Sequence, residues 1–562
     1  MIKTSKGFTL IELLAVIVIL AVIALIATPI VFNTVETAKT GSIKSSAYGY
    51  LNAIEYYVAT TYSDENTTND IPITGTFDYA LNKANIKVKG TQPTNVAVTL
   101  ANGKVVSGSL TYDNYLVMIS DGEVLEVSKG QDVLYTKTAK VYGVVFNGSA
   151  GTRTDSAVGL AYTVNASTIT SAFDTAEIYN EITEVTDTYG NVFVKIPRFY
   201  ISKSKTGSNF TYKISKTKQD ATYYLPYSFY DEATNAALPY VLIGKYNASL
   251  NGTKLESKSG TEPLVSQTIA TFRTYAKNNN VGLVQGYQLL DIHAIDVIQT
   301  LFYVEFATLN SQSIMQGYTT GQYSGAHTIT SINGTNLTMG VGIGSAYKIG
   351  QTIDIGTSVG GRQIAKNLRI TNIVGDIITY ELVAGISTIP GTITIGNSVY
   401  NVGYLSGTTD LVTTTSGSPT SNTDGKYAMK YRGIENMYGN VYQFIDGINI
   451  QNNQTYIATN PSSYVSDTFT GAYKAIGYVN KNTNGYVTEM GYDSANPAIQ
   501  LPTVTGTNTY GDYYYQATGN NIALFGGSWD NGGSAGLSRW FLSASSGGAS
   551  VSIGSRSLKK AL

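Results

Sequence analysis

The chain of 562 residues contains no cysteine. Disulfides, thiolate metal sites and cysteine nucleophiles are therefore excluded. Charge is also scarce. Asp, Glu, Lys and Arg make up 13% of the residues, and the net charge is −1, where about a quarter charged is usual. No long basic run occurs, so nucleic-acid binding through phosphate contacts is not expected. Histidine is nearly absent: His293 and His327 are the only two. A histidine metal site or a Ser-His-Asp triad would have to use one of them, and both read as structural residues. The two tryptophans, Trp529 and Trp540, both fall near the C-terminus.

What is present is apolar and uncharged-polar. Hydrophobic residues are 43% of the chain, and 44 residues are tyrosine. That length suggests about three or four domains, each with enough apolar content for a core. Gly, Ser, Thr, Asn and Tyr in place of charge suit β-rich domains with wide polar surfaces. The same mix is used in adaptable binding surfaces, although most of the tyrosines are better read as strand residues.

The N-terminus reads MIKTSKGFTLIELLAVIVILAVIALIATPIVF. Lys3 and Lys6 precede an apolar run from Phe8 to Phe32, long enough for a bilayer, which about 20 such residues span. The basic flank is expected to stay cytoplasmic. A secretory signal would have a shorter core with a small-residue cut after it. Here the small residue at a plausible cut is Gly7, before the run. Glu12 lies inside the apolar run, and a carboxylate in hydrocarbon is costly and by default functional. A cut between Gly7 and Phe8 would free an α-amine on Phe8 for Glu12 of a neighbouring subunit to pair with.

The string KGFTLIELL resembles the type IV prepilin cleavage motif. The resemblance covers roughly the first 55 residues. It implies cleavage after Gly7, N-methylation of Phe8, Glu12 as the assembly residue, and a kink or melted stretch at Pro29. It also implies other pilins, the prepilin peptidase and, before assembly, the membrane as partners. The alternative is an ordinary signal anchor with an incidental Glu12. Beyond Phe32, Ala38, Ile43, Ala47, Leu51, Ile54 and Val58 recur at helical spacing. SDENTTND ends that helix, and residues 71 to about 130 read as short strands with turns at ANGK and SDGE.

From about residue 131 the chain exceeds what a simple pilin needs. TYGNVFVKIPRFYIS reads as an edge strand at Pro197. Helical patterns cover roughly Val265–Asn278 and Tyr287–Phe306, the second containing His293. YRGIENMYGNVYQFIDGINI (Tyr431–Ile450) and ALFGGSWDNGGSAGLSRWFLSASSGGASVSIGSR (Ala523–Arg556) resemble the Gly-Asn-Val turn and the closing segment of C-type-lectin-fold domains in the formylglycine-generating-enzyme group. Phage receptor-binding proteins and the variable proteins of diversity-generating retroelements carry similar domains. The stretch from about Gly321 to Gly407 interrupts the resemblance and reads as a small inserted β-domain.

The expected fold class is multidomain α+β. A leader (1–7), a pilin helix (8–60, transmembrane over 8–32) and a β head (61–130) precede a C-type-lectin-like α+β domain (131–320 and 408–562) carrying an insert (321–407). Formylglycine-generating activity needs a cysteine pair and is unavailable. No paired-carboxylate or phosphate-loop motif replaces it, so an enzyme is not expected. No cofactor or metal is expected; a calcium site stays open as an alternative, although no dense Asp/Asn loop of the EF-hand type supports it.

Binding fits better. Leu537–Ser543 reads as a strand with Trp540 and Leu542 inward and Arg539, Phe541 and Ser543 outward, beside a loop holding Asp530, Asn531 and Ser534. An Arg next to an aromatic on a strand is a plausible hot spot. Against it stands a Phe541 covered by a loop. The expected function is a cell-membrane, then pilus-displayed, minor or tip adhesin for an extracellular protein or glycan. Alternatives are a major pilin with a decorative head, and an enzyme with an unrecognised site.

Overall fold

The computed structural model describes residues 38–62, 73–112, 115–120, 122–129, 139–165, 167–220, 222–232, 236–321, 327–401, 403–477, 483–493, 496–507 and 511–562. The expectations for the leader, the Gly7–Phe8 cut, Glu12, the apolar run over 8–32, Pro29 and the SDENTTND stop lie outside these residues. Among the described residues no helix is long and apolar enough to cross a membrane. They are mostly β with few helices, so the α+β expectation reduces to a β-dominated chain. The chain divides into two compact units, residues 1–133 and 134–561.

In the first unit a helix over 38–62 covers a five-stranded antiparallel meander. Its strands are Gly75–Thr76, Asn95–Ala101, Lys104–Tyr112, Tyr115–Ser120 and Glu123–Lys129, paired in chain order. Ile43, Ala47, Leu51, Ile54 and Val58 are buried at their helical spacing, and Tyr50 joins them fully buried. Ala38, expected on the same stripe, is exposed because the stripe begins at Ile43. Opposite the helix, Val96, Val98 and Leu100 alternate inward, as a half-buried strand requires. Asn102 and Gly103 of ANGK have φ of 51° and 77°, the positive pair that a tight two-residue hairpin demands.

The second unit is assembled around the Ile292–Phe306 helix, all of whose residues are buried. A helix buried on every side carries no single apolar stripe to mark it, and its acidic residues Asp296 and Glu305 are themselves buried in ion pairs with Lys203 and Arg432. Asp291 caps it by accepting a hydrogen bond from Ala294 N at 2.9 Å. The expected start at Tyr287 is too early: Tyr287–Leu289 is a strand. The preceding helix is Ile269–Lys277, capped by Thr268. Val192–Pro197 is not an edge strand. It pairs on both sides, with Thr183–Thr186 and Tyr240–Gly244. Pro197 is tolerated because it ends the strand. The C-terminal strand Ser557–Lys560 lies between Tyr240–Gly244 and Tyr287–Leu289, so the end of the chain is built into the interior of that sheet.

The largest sheet places Tyr442–Gln451, Asn520–Phe525, Trp540–Ala544, Tyr513–Gln516, Gly485–Asp493 and Asn496–Gly506 side by side. Residues Ile329 to Tyr400 form a separate six-stranded antiparallel sheet. It has its own core, including Leu337, Ile353, Leu368, Ile378 and Val399.

Candidate functional site

The segment Ala523–Arg556 closes the largest sheet. Asn520–Phe525 runs antiparallel to both Tyr442–Gln451 and Trp540–Ala544. At the last turn Arg556, fully buried, donates to the carbonyls of Gly244 (2.7 Å), Lys245 (2.8 Å), Glu435 (2.6 Å) and Asn436 (3.1 Å), and to Gln443 Oε1 (2.9 Å). Burial pulls its guanidinium down to about 9, which still leaves it charged at neutral pH. This arginine locks the closing segment to the Glu435–Asn436 turn of the Tyr431–Ile450 stretch. In that stretch Gly439 has φ 73°, and a Cβ there would sit 2.5 Å from the Tyr318 carbonyl oxygen.

Between the two central strands the chain forms a compact loop. Gly526 and Gly527 have φ of 85° and 82°, and a Cβ on Gly527 would lie 2.8 Å from that of Ala535. Asn531 is half-buried, and its Oδ1 accepts from Ser528 N at 2.7 Å. Asp530 is exposed, and its Oδ1 accepts from Ser528 Oγ at 2.6 Å. Ser534 is half-buried, and its carbonyl accepts from Arg539 Nη1 at 3.2 Å. Gln312, far off in sequence, donates to the carbonyls of Gly532 (2.8 Å) and Ala535 (2.7 Å). Asp530 therefore presents an exposed side chain, while that of Asn531 serves mainly to hold the loop.

The outward placement of Arg539 is corrected. The strand starts at Trp540, and Leu537–Ser538 is a turn, so the alternation cannot extend back to Arg539. The cause is Asp512, whose carboxylate accepts from Ser538 N at 2.7 Å and from Ser311 N at 3.2 Å and pulls this turn inward. Desolvation pushes the Asp512 carboxyl up to about 7. Arg539 is 5% exposed. Its guanidinium lies 5.4 Å from the Tyr442 ring and 5.9 Å from the Tyr513 ring, and it donates to Tyr442 Oη.

Within the strand the alternation holds. Trp540 and Leu542 are fully buried, while Phe541 and Ser543 are half-buried. Phe541 stacks on Tyr515 at 5.1 Å with 14° between the rings. It is thus a partner in a strip and not an isolated exposed ring. Tyr515 is 36% exposed, and Tyr513 next to it meets Tyr486 edge to face at 5.1 Å. The sequence reading missed these tyrosines, which reach the site because Tyr513–Gln516 pairs in parallel with Trp540–Ala544. The YYYQ run was the available signal, but nothing local names a parallel partner.

Both histidines sit in packed surroundings. His293 is buried against Tyr227, with Nε2 2.9 Å from the Ala458 carbonyl oxygen, and burial lowers its pKa. His327 Nδ1 lies 2.8 Å from Tyr347 Oη.

At the other end of the chain, the model of the prokaryotic N-terminal methylation motif matches residues 2–28. The motif indicates a type IV pilin-like protein. It implies a membrane-anchored, pilus-exposed chain that is processed by a prepilin peptidase and assembles with pilins. Gly7, Phe8 and Glu12 all lie within the matched pilin-like stretch. No curated protein matches the sequence.

Proposed function

We propose that this pilin-like chain is a surface adhesin that occupies a minor or tip position and displays a C-type-lectin-like recognition head. In this reading residues 1–7 are the leader, the peptidase cuts between Gly7 and Phe8, Phe8 is N-methylated, and Glu12 pairs with the amine of a neighbouring pilin. The head resembles retroelement-diversified variable proteins in its closing segment, and its ligand is an extracellular protein or glycan. Recognition of this kind needs neither cofactor nor turnover.

The observation that carries the proposal is the methylation motif in the same chain as a head with a rigid, half-exposed aromatic strip of Tyr515 and Phe541. Aromatic side chains offer large contact area at low entropic cost and are enriched in binding hot spots. Asp530 stands exposed in the adjoining loop. A head of this bulk would crowd a densely repeating shaft, which favours the tip or sparse incorporation.

Immunogold labelling of intact filaments with an antibody to the head tests the placement. Sparse or tip-confined label is expected, and continuous label along the shaft contradicts it. Tyr515→Ala and Phe541→Ala should reduce adhesion of filamented cells while filament number stays unchanged. Unaltered adhesion by both variants contradicts the recognition face.

A further inference from the structure

A cleft of about 240 Å³ is lined by neither Tyr515 nor Phe541. Three segments build it: the Tyr162–Asn165 and Thr168–Ser171 hairpin, the Ser311–Ser313 turn with the residues that follow, and the stretch from Gly417 to Thr423. These walls are fixed before any ligand arrives. Ser416–Gly417 pairs with Ile169–Thr168, and Ser418 N donates to the Ser167 carbonyl at 2.7 Å. Asn422 spends its amide on the carbonyls of Gly317 (3.0 Å) and Tyr427 (2.9 Å).

The lining is chemically one-sided. No ionisable side chain is among the residues that line the cleft. The apolar part includes Ile169 and Met315, both buried. The rim carries Gln316, Ser421 and Thr423, whose side chains have no hydrogen-bond partner among the described residues. Ser421 and Thr423 are exposed. Neutral donors and acceptors left unspent around an aliphatic patch match a ligand with a ring of hydroxyls and an apolar face. Without a cationic or anionic side chain the cleft gives no compensation for desolvating a charged ligand. Its volume lies below the roughly 300–1,000 Å³ of drug-sized pockets, which suits a single small unit.

We infer that this cleft binds one neutral monosaccharide unit, free or at the end of a glycan. The site is separate from the aromatic strip, so it goes beyond the adhesin proposal and does not depend on it. Gln312, which also lines the cleft, holds the Gly532–Ser534 turn, so an occupied cleft would border the exposed loop of the recognition face.

The test uses the full chain in a zwitterionic detergent that contains no sugar, titrated with glucose, galactose, mannose and N-acetylglucosamine and followed by saturation-transfer NMR. At least one of these hexoses should bind in the millimolar range. Ser421→Trp, which fills the mouth from an exposed position, should weaken that binding by at least about tenfold with an unchanged melting temperature. Phe541→Ala should leave it unaltered. If Ser421→Trp melts early, Thr423→Val and Gln316→Ala supply the same reading through lost hydrogen bonds. The inference is overturned if none of the four sugars binds, or if binding survives these cleft variants. It is equally overturned if sialic acid or a neutral peptide binds the cleft more tightly than every neutral hexose. Failure here leaves the adhesion loss expected of Tyr515→Ala untouched, and that loss can fail alone.

Discussion

Three neighbouring residues of the closing segment, Arg539, Trp540 and Phe541, carry separable energies. Trp540 is fully buried and meets Phe525 edge to face at 5.0 Å. Trp540→Ala should cost roughly 3–5 kcal/mol in chemical denaturation. Arg539→Ala removes hydrogen bonds to Tyr442 Oη and the Ser534 carbonyl together with two ring contacts, so about 2–3 kcal/mol is expected. Phe541 is half-buried, and Phe541→Ala should cost least, about 1 kcal/mol. A melting series that orders them otherwise contradicts the placement of this strand. Asp512 adds a pH dependence. Its ordinary carboxyl value is 3.8, and burial raises it to about 7 in the folded chain. The unfolded chain therefore gives up the proton first as the pH rises. Stability from this group is complete below about pH 4 and is lost as the pH climbs through 7. The loss is on the order of 4 kcal/mol. Asp512→Asn should flatten that slope in melts between pH 4 and 8, and an unchanged slope would assign it elsewhere. Trp540 and Leu542 were legible as core from alternation alone. Arg539 was not, because the Asp512 carboxylate that folds the Ser538 turn inward comes from a different strand-bearing segment.

At the scale of elements, turns fix where strands start. Gly439, in the YGNV turn, combines φ 73° with a carbonyl oxygen 2.5 Å from where a Cβ would stand. Gly439→Ala should cost about 1–3 kcal/mol in backbone strain alone, and the clash adds to it. Denaturation that shows no loss would contradict the tight approach of this turn to the Tyr318 carbonyl. The glycine-rich strings and the amphipathic stripe from Ile43 to Val58 could be read directly, since each depends on local geometry. The Ile292–Phe306 helix was found but started too early, because a helix buried on all sides shows no polar edge to mark its boundary. Pro197 reads as an edge residue on local grounds, because proline cannot donate to a ladder. It lies instead at the end of a strand paired on both sides. Pairing between distant segments, such as Tyr513–Gln516 beside Trp540–Ala544, leaves no local pattern, and so half of the aromatic strip stayed hidden.

For the whole molecule, the methylation motif ties the chain to pilus biogenesis, and the functional claim turns on the junction of that motif with the head. Glu12→Ala should leave membrane insertion intact and block assembly, because only assembly requires the carboxylate to meet a free amine. Membrane fractionation and filament counts separate the two effects, and normal incorporation of the variant would remove Glu12 from the assembly contact. The most direct test of the central claim is mass spectrometry of this chain recovered from sheared filaments. The account predicts a mature protein that begins at N-methylated Phe8, recovered with other pilins. An intact Met1, or absence of the chain from the filament fraction, would contradict it.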